Sequence, residues 1–183
     1  MSYSSERSIP IIPMITPSNI LLVITATTTA LIAGLFFAWS CSVTIGLARV
    51  TDIVYITAMQ SMNRAILNPV FLSCFLGTAI LLPLSTYIHY SPATLSRFWF
   101  LLAASVVYII GVLGVTMAGN VPLNESLDAF ALSSASASEM SLQRAAFEGK
   151  WNFLNTIRTI ASTLSIILVI IACLAPARPE SQL

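Results

Sequence analysis

The stretch "WNFLNTIRTIASTLSIILVIIACL", residues 151–174, carries a single charge, Arg158, in an otherwise apolar run. As a helix rising 1.5 Å per residue, it is long enough to cross the ~30 Å hydrocarbon core of a bilayer. A helix bonds its own backbone groups, which lipid cannot do, so the run reads as a membrane-spanning helix. Its first turns pose a second question. Trp151, Asn155 and Arg158 stand four and three residues apart and therefore share one helix face. Arg158 lies about 10 Å further along the axis than Trp151, which carries a guanidinium toward or into the hydrocarbon edge.

Outward from this stretch the chain keeps the same character. Of its 183 residues, 57% are hydrophobic and 8% are charged, against roughly 25% charged in soluble domains. Nothing ionic lies between Arg7 and Arg49, Arg64 and Arg97, Arg97 and Glu125, or Arg158 and Arg178. Each gap holds the ~20 apolar residues that a spanning helix needs. The sequence therefore predicts an all-α membrane protein, a four-transmembrane-helix bundle with spans at about 18–47, 68–88, 97–118 and 150–174. A barrel would need short alternating strands instead. The bundle occupies 18–176, between an extended N-terminal tail (1–17) and a C-terminal tail (177–183). The first apolar run is too long for the core of a cleaved signal and follows the proline-rich "IPIIPMITP", residues 9–17. The lipid bilayer is the partner this composition names. A net charge of +1 without a basic stripe gives no footprint for nucleic acid. Cys41, Cys74 and Cys173 lie within apolar runs without CxxC spacing and read as small packing residues.

In an up-down bundle, the end of the first span, the start of the second, the end of the third and the start of the fourth share one membrane face. The unusual polar residues fall there. "GLFFAWSCSV" (34–43) supplies Trp39, Ser40 and Ser42, and "ITAMQSMNRAILNP" (56–69) supplies Gln60, Asn63, Arg64 and Asn68. "GNVPLN" (119–124) supplies Asn120 and Asn124, and the Trp151 stripe completes the set. Ile56, Met59, Asn63 and Ile66 follow helical spacing, which predicts a short interfacial helix between spans one and two. Asn68 and Pro69 suit the N-cap and first position of the second span. Residues 119–149 read as the longest connection, with the low-complexity "SSASAS" (133–138) expected to be mobile and "SLQRAAFEG" (141–149) to form one or two helical turns. The other face offers Tyr87, His89, Tyr90, Arg97 and Trp99, an aromatic and basic belt. With one histidine in the chain, a multi-histidine iron or copper site is excluded, and no metal site is read.

An inward-facing Arg158 needs acceptors. Candidates are the amide oxygens of Asn63, Asn120 and Asn155, or the carboxylates of Glu148 and Asp52 if their connections fold back over the bundle. Such a cluster either locks helices together or holds a ligand's oxygen, and intramembrane ionisable residues are site candidates by default.

Taken together, "GLFFAWSCSV", "ITAMQSMNRAILNPVF", "GNVPLNESL" and "FEGKWNFLNTIRT" resemble the anthrone oxygenase-like membrane family, formerly classed as a domain of unknown function. The resemblance runs from about Ile32 to Ile160 in the family's order. It implies a four-helix membrane protein of a family whose fungal members oxidise polyketide anthrones to anthraquinones with molecular oxygen. The motif positions it shares are Trp39, Met59, Asn63, Arg64, Asn68 and Pro69 before the second span, then Asn120, Pro122 and Asn124. Trp151, Asn155, Arg158 and Thr159 complete them.

An anthrone is a weak carbon acid whose enolate can pass an electron to oxygen directly, so binding, proton removal and oxyanion stabilisation suffice. The expected assignment puts Arg158, Asn155 and Asn63 on the oxyanion and Glu148 as the base, with Asp52 next and a water after it. Trp39, Met59 and Trp151 form flat walls, and Arg64, Asn68, Asn120 and Asn124 are further substrate contacts. No cofactor is required; O2 is the candidate co-substrate, with a lipophilic small molecule as partner. The competing reading is a non-enzymatic quinone- or lipid-binding protein, or an accessory subunit whose small-residue faces pack against a second copy or a larger membrane complex.

Overall fold

The structure, a computed structural model, describes residues 16–176. The N-terminal tail read over 1–17 lies outside them except for its last two residues, and the tail read over 177–183 lies wholly outside. The described residues form α1 (Pro17–Leu47), α2 (Asp52–Ala65), α3 (Pro69–Ile88), α4 (Pro92–Asp128) and α5 (Ala137–Leu174). All but α2 are long and apolar enough to span a bilayer. The chain is an all-α, multi-pass integral membrane protein, and α2 is the short helix between the first two spans.

Local chemistry fixes the helix ends. Pro17 and Pro69 open α1 and α3, where a missing N–H costs nothing. Thr16 Oγ1 accepts from Asn19 N at 3.2 Å, and Asn68 Oδ1 accepts from Phe71 N at 3.0 Å. At α5, Ser136 and Glu139 form a reciprocal capping box.

That cap corrects the sequence reading of 119–149. Hydropathy sees charges at Glu139, Arg144, Glu148 and Lys150 and starts the span at about 150. Helix propensity and the cap start the helix at Ala137. The serine-rich segment is accordingly part of an ordered turn, with Leu132–Ser134 in a 3-10 helix and Ser136 on the helix end. Likewise α4 continues past Gly119 to Asp128 through two wide π turns, Ile109–Gly114 and Thr116–Asn120. Pro122 has no N–H to give the ladder, and the second wide turn precedes it. The connection between α4 and α5 shrinks to residues 129–136.

α5 packs on α1 and α4, and α3 closes the ring against the same two helices. Gly111 allows the closest approach, since a Cβ there would stand 2.6 Å from Cβ of Ala161. Hydroxyls tie the interior, with Thr25 and Ser85 2.8 Å apart and Tyr108 Oη donating to the Phe75 carbonyl at 2.9 Å. His89, at the end of α3, is buried, with Nδ1 2.8 Å from the Ser85 carbonyl oxygen.

A second apolar cluster roofs one end of the bundle, joining Tyr55, Ile56 and Met59 of α2 to Leu127 of α4 and to Phe147 and Trp151 of α5. Arg144 clasps this roof. Its Nε donates to Glu148 at 2.7 Å, Nη1 to the Val50 carbonyl and to Asp52 at 2.8 and 3.0 Å, and Nη2 to the Leu47 carbonyl at 3.2 Å. The guanidinium also lies 4.5 Å over the Tyr55 ring. One side chain thereby holds the end of α1, the start of α2 and α5.

Arg144→Met should lower unfolding stability by about 2–3 kcal/mol, because two carboxylates and two carbonyls lose a charged donor; thermal unfolding in detergent micelles measures it. Gly111→Ala should cost about 1–3 kcal/mol by forcing α4 from α5, in the same assay.

Candidate functional site

Below the roof the four spanning helices and α2 enclose a cavity of about 90 Å³. α1 contributes Leu35, Phe36 and Trp39; α2 and the residues after it contribute Met62, Asn63, Ile66 and Leu67. Phe71 comes from α3, Thr116, Val121 and Asn124 from α4, and Trp151, Asn155 and Arg158 from α5. Trp39 opens the π turn Trp39–Val43 in α1, which also places Ser40 toward α5. Its ring centroid lies 5.0 Å from that of Trp151, and Trp151 Nε1 donates to Asn124 Oδ1 at 2.8 Å. The walls are thus aromatic and fixed.

The deep end is built around Arg158, only 6% exposed. Its Nη2 donates to Asn155 Oδ1 at 2.9 Å and its Nη1 to Thr116 Oγ1 at 3.5 Å. The guanidinium lies 4.5 Å from the Phe36 ring centroid and 5.3 Å from that of Trp151. Asn155 is held in turn, since its Nδ2 donates to Ser40 Oγ at 2.9 Å. Thr159 donates to the Phe36 carbonyl at 3.0 Å, pinning α5 to α1 at this level. Among the described residues no carboxylate pairs with Arg158. Arg158 Nε and Asn63 Nδ2 are buried donors without a partner among the described residues. A positive group held by neutral acceptors, with N–H donors to spare, favours an oxygen bearing negative charge.

Of the residues expected at the site, Arg158, Asn155, Asn63, Trp39, Asn124 and Trp151 line the cavity together. The others lie elsewhere. Glu148 and Asp52 are both bound to Arg144 in the roof, so neither carboxylate lines the cavity. Met59 is buried in the roof cluster above it. Arg64 is exposed and pairs with Asp128 at 2.6 Å. The side chain of Asn68 is spent on capping α3 and on the Ala65 carbonyl. Asn120 is fully buried but makes no bond to Arg158, whose acceptors are Asn155 and Thr116. Asn155 likewise has both ends of its amide engaged, and it orients the guanidinium.

Phe36 and Thr116 are contributors that sequence reasoning did not single out. Thr116 stands four residues before Asn120 and eight before Asn124, so the helical spacing was present. It was hidden inside a run read only as apolar. Tyr55 is no alternative base: burial first, and the Glu148 carboxylate after it, push its hydroxyl well above the ordinary range.

Beside the cavity, a shallower groove carries Arg64, Glu125 and Asp128 and shares Asn63, Leu67 and Asn124 with it. The polar end near Asn63 and Asn124 therefore faces the water side, and the Arg158 end faces the membrane interior.

Fold and site together define an integral, multi-pass membrane protein with a polar cavity enclosed by its helix ends at one face. The family model described as anthrone oxygenase matches residues 69–168, and the chain belongs to the anthrone oxygenase family. The match holds Asn120, Asn124, Trp151, Asn155 and Arg158, and begins after Trp39, Met59, Asn63 and Arg64. Neither the comparison with curated proteins nor that with solved structures gave a match.

Asn155→Leu should lower unfolding stability by about 1–3 kcal/mol, because Arg158 loses its shortest bond and Ser40 loses a donor. Thermal unfolding checks the loss, and a raised Trp fluorescence yield or shifted emission maximum reports the loosened Trp39–Trp151 pair.

Proposed function

We propose that this protein binds a flat, lipophilic molecule by an acidic oxygen and, for an anthrone-type substrate, catalyses its oxidation by O2 to the quinone. The observation that carries the reading is Arg158, a buried guanidinium that lines an aromatic-walled cavity and has, among the described residues, no carboxylate partner and an unpartnered Nε–H. An enolate oxygen placed there gains a charge-assisted hydrogen bond from Arg158.

The volume of about 90 Å³ is well below the ~300 Å³ of a pocket for a drug-sized ligand. A ring edge with its oxygen fits, and the remaining rings lie along Leu35, Leu67 and Phe71. Leu67, 68% exposed, marks the opening. A lipophilic molecule then enters at this water-facing edge of the bundle with its oxygen leading.

Chemically, the CH2 carbon of the bound anthrone loses a proton to solvent through the opening at Asn63 and Asn124. The enolate charge stays on the oxygen facing Arg158. The enolate gives one electron to O2, and the resulting carbon radical and superoxide combine to form a C–O bond. After protonation, the hydroperoxide loses water to leave a second carbonyl. The substrate carbon is oxidised by four electrons, and O2 ends as one quinone oxygen and one water. Arg158 lowers the barrier by holding the negative charge before and during electron transfer, at a position fixed in advance by Asn155 and Thr116.

One observation favours a second reading. The lining residues include no carboxylate and no imidazole, which suits a binding protein for quinones that performs no proton transfer.

Oxygen uptake by membranes containing the protein, given a phenolic anthrone, should exceed autoxidation. Arg158→Leu should reduce the excess by roughly 100- to 1000-fold, with Arg158→Lys intermediate. No excess uptake but saturable quinone binding would select the binding protein, and neither would dismiss both readings.

A further inference from the structure

Asn120 is fully enclosed at 0% exposure, and among the described residues neither Nδ2 nor Oδ1 of its side chain has a hydrogen-bond partner. No other described residue buries two side-chain polar atoms in this state. Burying an amide so is costly, and an apolar side chain of similar shape would be more stable there. The position points to a purpose. Thr116 four residues earlier and Asn124 four residues later both line the cavity, as does Val121. Asn120 lies between these residues along α4 and does not itself line the cavity. It closes the wide turn Thr116–Asn120, and such turns occur often at functional sites.

Its chemistry differs from that of the two other unpartnered groups at the site. Arg158 Nε and Asn63 Nδ2 offer donors alone, which suits an oxygen that only accepts. The Asn120 amide offers a donor and an acceptor side by side, and the group that answers both is a hydroxyl.

We infer that Asn120 is a specificity-determining residue of this cavity that pairs with a hydroxyl group, distinct from the oxygen held by Arg158. The inference rests on the ligand-binding reading above. The hydroxyl belongs either to the ring of the bound molecule or to a water fixed in the wall. These sources differ in what the loss of the amide does.

The test uses the full chain in lipid nanodiscs, with affinities read by tryptophan fluorescence quenching and stability by thermal unfolding. The probes are anthraquinone and its monohydroxylated derivative, and the variants are Asn120→Leu and Asn120→Ser. Wild type should bind the hydroxylated probe roughly ten-fold more tightly. Asn120→Leu should melt higher than wild type and bind both probes alike, while Asn120→Ser, which keeps a donor and acceptor, should retain part of the preference. Equal weakening of both probes in Asn120→Leu assigns the hydroxyl to a fixed water. Unchanged affinities in Asn120→Leu, or a melting temperature no higher than wild type, would overturn the inference. If wild type binds neither probe, the ligand-binding reading itself fails; if wild type binds and the Leu variant matches it, only the role of Asn120 does.

Discussion

A guanidinium inside a membrane protein must be solvated by that protein, and much of this structure follows from doing so for Arg158. Arginine does not give up its proton, so burial cannot be relieved by neutralisation. The oxygen atoms of Asn155 and Thr116 and the faces of Phe36 and Trp151 stand in for water. Each of these groups needs its own support. Ser40 accepts from Asn155, Asn124 accepts from Trp151, and Thr159 bonds to the Phe36 carbonyl. The wide turns in α1 and α4 lie where that support is supplied, which is how local distortion and the buried charge are linked.

The charges that could have neutralised Arg158 are held elsewhere by a second arginine. Arg144 gathers Asp52 and Glu148 into the roof and takes the carbonyls of Leu47 and Val50 as well. Arg64 does the same for Asp128 at the edge. These three carboxylates are thus held away from the cavity, and among the described residues the membrane-depth cation has no carboxylate partner. A neutral network below and a paired one above give the cavity a polarity gradient along α5, on which Arg144, Trp151, Asn155 and Arg158 follow one another.

The spans were readable because lipid demands one property, apolarity over ~20 residues, and long gaps between charges display it directly. The stripe Trp151, Asn155, Arg158 was readable because a helix converts spacing into a shared face. Two things were not. Helix ends outside the membrane depend on caps, so the capping box at Ser136 was lost in a segment that composition marks as low-complexity. Partner choice depends on tertiary distance, so Glu148, three residues before Trp151, looked close to the site yet is bound to Arg144, one turn back on the same helix. The polar stripe Thr116, Asn120, Asn124 lay in between: its period was visible, but a threonine in an apolar run draws no notice, and no periodicity foretells that Asn120 alone of the three stays out of the cavity lining.

The lengths of the spans carry a consequence for where such a protein is comfortable. α3, Pro69–Ile88, measures about 30 Å and is fixed at its start by Asn68 and Pro69, whereas α1, α4 and α5 run well past the bilayer. Longer helices absorb a change in membrane thickness by tilting or protruding, but a short one cannot lengthen. The shortest span therefore acts as the molecule's gauge. A thick, sterol-rich bilayer must thin around α3 or leave its ends stranded in hydrocarbon, and a thinner membrane accepts the whole bundle without deformation.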